Sequence, residues 1–240
     1  MIIGPGITIT GGIYVDANAP AAAASGSVFF PDVNSYLKAA STITLGKTCT
    51  FECWFYPVAN PATNKIMLVG GGGNRGLSIY NGTYGQGTPS ATKWTVDWET
   101  AGNIEFTVPT MTAGAWYHLA MVQNSSGVTT IWLNGTRSST GTITPNWTFQ
   151  AQLYGVGRWT TQSQGSQGGL YISNLRMTTT NVYTPTQTSI TVPTTPLSKI
   201  AGTQLLLNTA TSATAYTDSS DNAITMNVFG TTSWNALNPF

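Results

Sequence analysis

Few side chains in this sequence could do proton or metal chemistry. The acids are Asp16, Asp32, Glu52, Asp97, Glu99, Glu105, Asp218 and Asp221, and His118 is the single histidine. Acid-assisted cleavage of a glycosidic bond needs two flanking carboxyl groups, one protonated and one ionised. Only Asp97-Trp98-Glu99 offers such a pair at strand spacing, since residues two apart share one face. Glu105 lies beyond a Thr100–Asn103 turn, so no third acid extends the pair. A nucleophile–histidine triad would have to use His118, inside the apolar run WYHLAMV, where a satisfied structural histidine is expected. Gly70–Gly73 is followed by Asn74-Arg75 rather than Gly-Lys-Ser/Thr, so it reads as a hairpin tip and not a phosphate loop.

Metal and thiol chemistry are equally thin. Cys49 and Cys53 are the only cysteines. On one strand they share a face but lie about 13 Å apart, beyond the roughly 7 Å between Cα atoms that a disulfide spans. Two buried thiols are expected. Asp218, Ser220, Asp221 and Asn222 form the densest oxygen cluster, and Asp97 with Asn103 a second. Asp218, Asp221 and Asn222 are the candidate Ca²⁺ ligands; the competing reading is an Asx-type turn that needs no metal.

Sugar binding on a β-structure needs aromatic faces plus amide or acid groups. Eight Trp and ten Tyr supply rings in quantity. Trp54, Trp116 and Trp132 lie in strand-like runs and are expected to pack. Tyr80, Tyr84, Trp94 and Trp98 flank NGTYGQGTPSATK, and Trp147 and Trp159 border Gln- and Ser-rich stretches. Those six are the candidate carbohydrate-binding residues; the competing reading for each is packing, unless they cluster at one loop end.

The elements that must position these groups are strands. Charged residues make up 7% of the chain against an average of about 25%, so Thr, Ser, Asn, Gln and Gly carry its solubility. That composition suits short strands and tight turns. Thr48–Tyr56 alternates Cys49, Phe51, Cys53 and Phe55 on one face with Thr50, Glu52, Trp54 and Tyr56 on the other. Trp116–Val122 and Val128–Leu133 form the clearest hairpin, and Asn134-Gly135 begins the next turn. Further strands are expected at 28–30, 35–37, 66–69, 77–80, 93–98, 104–108, 151–155, 169–176, 203–207 and 224–228. No capped helix longer than about two turns emerges. A dozen strands without crossover helices imply an all-β, two-sheet antiparallel sandwich over residues 28–240. Residues 1–27, with Ile7, Ile9, Ile13 and Val15 ahead of ANAPAAAASGS, read as an N-terminal extended arm and linker, either free to join a neighbour or docked locally.

The net charge of +1 and scattered basic residues exclude the dense basic patch of a nucleic-acid binder. No apolar run approaches the 18 residues of a membrane helix. The start, MIIGPGITIT, lacks a basic n-region and cleavage motif, so Sec export is not expected.

Several segments resemble the laminin G-like branch of the concanavalin A-like lectin/glucanase superfamily. VFFPDVNSYLKAAS followed by CTFECWFYP is similar to the family's opening. Trp116-Tyr-His-Leu-Ala120 with Ile131-Trp-Leu-Asn-Gly135 matches its most specific signature, and Gly169-Leu-Tyr-Ile-Ser-Asn-Leu-Arg176 its closing strand. The resemblance implies a jelly roll. The family's glucanases carry a Glu-x-Asp-x-x-Glu strand that is missing here, so hydrolase activity is the least supported reading. Thr203–Leu207 with Asp218–Asn222 and Pro239-Phe240 follows the sandwich, an order similar to that in structural proteins of tailed bacteriophages. That likeness implies a non-enzymatic virion component, a capsid decoration or tail-associated module at the virion surface. Its partners would be itself and other virion proteins through residues 1–27. The rival is a carbohydrate-binding module adhering to host glycans.

Overall fold

The computed structural model describes residues 25–71, 77–84, 88–98, 102–142, 153–155 and 168–240. Most of the expected arm, residues 1–24, lies outside them. The strands are β1 (Ser27–Phe30), β2 (Tyr36–Ala39), β3 (Cys49–Pro57), β4 (Met67–Gly71), β5 (Leu77–Asn81), β6 (Lys93–Trp98), β7 (Gly102–Thr107) and β8 (Tyr117–Gln123). They continue with β9 (Val128–Leu133), β10 (Thr136–Thr142), β11 (Leu153–Gly155), β12 (Leu170–Thr178), β13 (Thr203–Leu207), β14 (Met226–Phe229) and β15 (Ser233–Asn235). Among the described residues there is no helix, so the all-β expectation holds.

Eight strands form the larger sheet in the order β10-β9-β8-β3-β12-β1-β15, with β13 also pairing β12. Five form the second, β11-β4-β5-β6-β7, and β14 pairs β2 separately. All pairings are antiparallel. This is the jelly-roll sandwich. Phe51, Phe55, Leu119, Met121, Ile131 and Leu175 of the larger sheet meet Leu77, Ile79, Trp94, Val96 and Phe106 of the smaller in one core. Burying such apolar faces is the main driving force.

β3 alternates as its sequence requires, and Cys49 and Cys53 are free thiols in that core. Burial pushes the Cys49 thiol up to about 12, so it stays protonated and unreactive. Two strands, β10 and β15, carried no sequence signal: both lie at sheet edges, where TRSSTGT has no apolar face and the three-residue SWN packs only Trp234 against the core.

One irregularity sets the register that matters most. Along β12 the inward residues are Leu170, Ile172, Leu175 and Met177, a phase slip between 172 and 175. The slip is a bulge: Ser173 pairs with Trp54, yet Arg176 pairs with Glu52, so three steps of β12 oppose two of β3. Asn174 takes a positive φ of 50° there. Without the extra residue, Arg176 would face the core. The bulge turns it to the outer face, opposite Glu52.

Candidate functional site

The outer face of the larger sheet holds the polar and aromatic groups that the core does not use. Along β3 its residues are Thr50, Glu52, Trp54 and Tyr56, and register places Val122, Ala120 and His118 of β8 beside the first three. Thr178, Arg176, Ser173 and Tyr171 of β12 flank them on the other side.

At the Thr50 end this face is covered by a strap, residues 179–200. Thr50 Oγ1 donates to Thr180 O at 2.7 Å and accepts from Val182 N–H at 3.0 Å. Thr130 Oγ1 donates to Pro185 O, and Trp132 Nε1 to Gln187 O. Ala120, Val122 and Trp132 pack with Ile190 and Tyr183 of the strap. Asn134-Gly135 makes the expected turn, with positive φ at both residues. A Cβ on Gly135 would meet Ile190 O at 2.6 Å, so glycine there lets the strap close onto the hairpin.

Beneath the strap lies a buried ionic cluster. Arg176 donates from Nε to Glu52 Oε1 at 3.0 Å and from Nη2 to the same oxygen, while its Nη1 donates to Ser198 O at 2.6 Å. Tyr183 Oη donates to Glu52 Oε2 at 3.1 Å. His118 Nε2 stands 3.5 Å from that oxygen, at the outer limit of a hydrogen bond, with both side chains fully buried. Burial pushes the Glu52 carboxyl up, but His118 and the Arg176 guanidinium outweigh it and hold the group below the usual glutamate range. Burial first, then the Glu52 charge, pushes the Tyr183 phenol up. Each oxygen of Glu52 is thus occupied by the fold's own donors, and an ionised carboxylate in this position fixes the strap rather than meeting a substrate. No local pattern announces this cluster, because Glu52 and Arg176 are 124 residues apart.

Among the described residues, no strap covers the Tyr56 end of the same face. Phe29 stacks on Tyr171 at 4.5 Å, Tyr171 meets Tyr56 edge-on at 5.8 Å, and Tyr56 meets Trp116 at 5.6 Å. All four rings are half-buried, and exposed Val58 adjoins them. A Cβ on Gly169 would approach Val58 and Phe29 at 3.2 and 3.3 Å, so that position keeps the row closed. Between the two ends, Trp54 lies under Phe240, with ring centroids 5.7 Å apart.

Of the six expected sugar-binding residues, the four described, Tyr80, Tyr84, Trp94 and Trp98, do not form one site. Alternation along β6 turns Trp94 and Trp98 into the core, where Trp94 is fully buried and its Nε1 donates to Met111 Sδ. Tyr80 is buried, with Lys65 Nζ 4.5 Å from its ring centre. These three are therefore corrected to packing residues. Tyr84 is exposed, and its N–H donates to Glu105 Oε1, whose other oxygen pairs with Lys93. Trp147 and Trp159 lie outside the described residues, as does Glu99. Asp97 is buried.

The candidate Ca²⁺ ligands do not fit a calcium ion. Asp218 Oδ1 accepts from Leu206 N–H and Ser220 N–H, and Oδ2 from Ser220 Oγ and Ile224 N–H. Asp221 pairs instead with Lys199 at 2.7 Å, and Asn222 Nδ2 donates to Gln204 O. The segment is a hydrogen-bonded Asx turn that ties β13 to the C-terminal strands.

Among known proteins, the laminin G-like profile of the concanavalin A-like lectin/glucanases superfamily matches residues 31–182. No curated protein sequence matches the chain. Solved structures share its architecture. A heptameric SAP-like pentraxin from Limulus polyphemus is similar with a TM-score of 0.53 and 14% identity, over 68% of this chain and 80% of that one. A proposed carbohydrate-binding protein from Bacteroides ovatus is similar with a TM-score of 0.60 and 16% identity, over 92% of this chain. The chain spans 62% of that protein's length. At such identities the likeness speaks for the fold alone.

Proposed function

The chain belongs to the concanavalin A-like lectin/glucanase superfamily, and we propose that it works by contact rather than by chemistry, as a non-enzymatic structural module on a virion surface. The observation that carries this is the fate of its ionisable groups. Glu52 is consumed by Arg176 and Tyr183, and Asp218 by three donors of its own turn and the Leu206 N–H of β13. Glu105 and Asp221 hold surface lysines. A hydrolase needs two carboxyl groups facing a bound sugar, and none of these is placed for that.

The segment that resembles bacteriophage modules supports the virion setting. It is woven into the sandwich: β13 pairs β12, β15 pairs β1, β14 pairs β2, and Phe240 packs on Trp54. A structural module gains from such closure, since it leaves fewer loose ends to fray. Its partners are copies of itself and other virion proteins, reached through residues 1–27. The test is quantitative mass spectrometry of purified particles. The chain is expected at a fixed copy number after stringent washing, and its loss from washed particles would contradict the assignment.

One observation favours a second reading, adhesion to glycans: exposed Tyr84 sits beside Glu105 and Lys93, a ring next to polar groups. A glycan array separates the two. Binding that disappears in Tyr84→Ala supports adhesion, and a blank array leaves assembly as the function.

A further inference from the structure

The half-buried row Phe29–Tyr171–Tyr56–Trp116 carries the inference. Aromatic side chains concentrate in the cores of protein interfaces, where charged residues are depleted. The four rings, with neighbouring Val58, Trp54 and Phe240, carry no charged side chain. Their planes are inclined by 26°, 83° and 61° along the row. A flat sugar platform needs rings that lie together in one plane, whereas an uneven row of ring edges and gaps suits the side chains of a polypeptide.

The chain itself supplies a matching segment. Residues 1–15, MIIGPGITITGGIYV, have no charged side chain, and Ile7, Ile9, Ile13 and Val15 provide branched apolar groups. The segment joins the sandwich at Ser25, whose Oγ accepts from Asn174 Nδ2, and at Gly26, whose carbonyl accepts from Ser173 and Thr209. β1 then runs from Ser27 toward Phe29, so the chain enters the sheet two residues before the row and heading toward it. To cover its own row the segment would have to turn back within residues 16–24, a constraint that the row of a second copy does not impose. Nine linker residues span at most about 30 Å, enough to cross to an adjacent copy.

We propose that residues 1–15 of one copy dock on the aromatic row Phe29–Tyr171–Tyr56–Trp116 of the next, in a head-to-tail contact. Such heterologous contacts close into rings or extend into arrays. The inference rests on the assembly reading and names the surface through which assembly runs.

The experiment uses the full-length chain, with Ile9 replaced by a photo-crosslinking amino acid, mixed with ¹⁵N-labelled copies. The expected result is crosslinked peptides joining position 9 of one isotopic species to peptides containing Phe29, Tyr56 or Tyr171 of the other. In parallel, the pair Tyr56→Ala and Tyr171→Ala is expected to weaken self-association by at least about tenfold in light scattering. A thermal melt checks that the pair still folds; if it does not, the crosslink map alone decides. Crosslinks confined to one copy, or falling elsewhere on an intact oligomer, overturn the docking site and leave the assembly reading standing. A chain that is monomeric at every concentration and missing from particles sinks both. A glycan array signal lost in the Tyr56/Tyr171 pair makes the row a sugar site and overturns the proposal.

Discussion

The two ends of one sheet face have opposite characters, although the same strands β3 and β12 build both. At the Thr50 end, charge is buried and a strap is pinned over it by Glu52, Arg176 and Tyr183. At the Tyr56 end, uncharged rings lie half-exposed with nothing of the described chain across them. A buried ion pair contributes little net stability, because desolvation offsets much of the attraction. What it supplies is discrimination: only a segment bringing Ser198 O to Arg176 and the Tyr183 hydroxyl to Glu52 satisfies the cluster. The aromatic end makes no such demand. One end is committed to its own chain, and the other is left uncovered by the described residues.

That contrast breaks most sharply at Glu52. Glu52→Gln is expected to destabilise by about 3–5 kcal/mol, because it leaves the buried Arg176 charge unpaired, and urea unfolding measures the loss. Replacing both partners, Glu52→Leu with Arg176→Met, is expected to restore most of it. If the double change is as damaging as the single, the cluster is more than a pair of mutually dependent charges. Asp218→Ala is expected to cost about 2–3 kcal/mol by orphaning Leu206 and Ile224 N–H groups. Calcium or a chelator is expected to leave the melting temperature of the native chain unchanged; stabilisation by calcium would reopen the site as a metal centre.

Acid sharpens the same distinction. The folded-state pKa of Glu52 lies below its ordinary value, so the stability it contributes is present above about pH 4.5 and lost as pH falls through the depressed pKa. Limited proteolysis across pH 7 to 3 is expected to open the strap first at the acid end, and Glu52→Gln to open it at neutral pH. Cleavage of the native chain that is independent of pH would contradict the link. The smallest effect on stability belongs to the open end. Tyr171→Ala is expected to cost about 1 kcal/mol or less in thermal unfolding, since its ring is already partly in water, yet it is expected to reduce self-association.

Much of the fold was legible in the residues. Cys49, Phe51, Cys53 and Phe55 announced the inward face of β3, and Trp116–Leu133 the central hairpin, because period-2 alternation is a local property. The edge strands β10 and β15 were not legible, since a solvated edge has no apolar alternation to reveal it. The candidate site was less visible still. Alternation placed Glu52 and Tyr56 on a common face but could not say that residues 179–200 cover one and not the other. The bulge at Asn174 was hidden as well. Its phase slip was written in Leu170, Ile172, Leu175 and Met177, but a single strand does not show which partner makes the slip necessary. Whether Trp94 and Trp98 bind or pack was not legible, because a loop-rich flank says nothing about which side of β6 faces the second sheet.

Hydrogen exchange followed by mass spectrometry, on the assembled form against the dilute chain, tests most directly that the open aromatic end is the working surface. Assembly is expected to slow exchange in the peptides carrying Phe29, Tyr56 and Tyr171, with the 179–200 strap unchanged because it is already closed. Unaltered exchange along the aromatic row, with protection appearing in the strap instead, would contradict it.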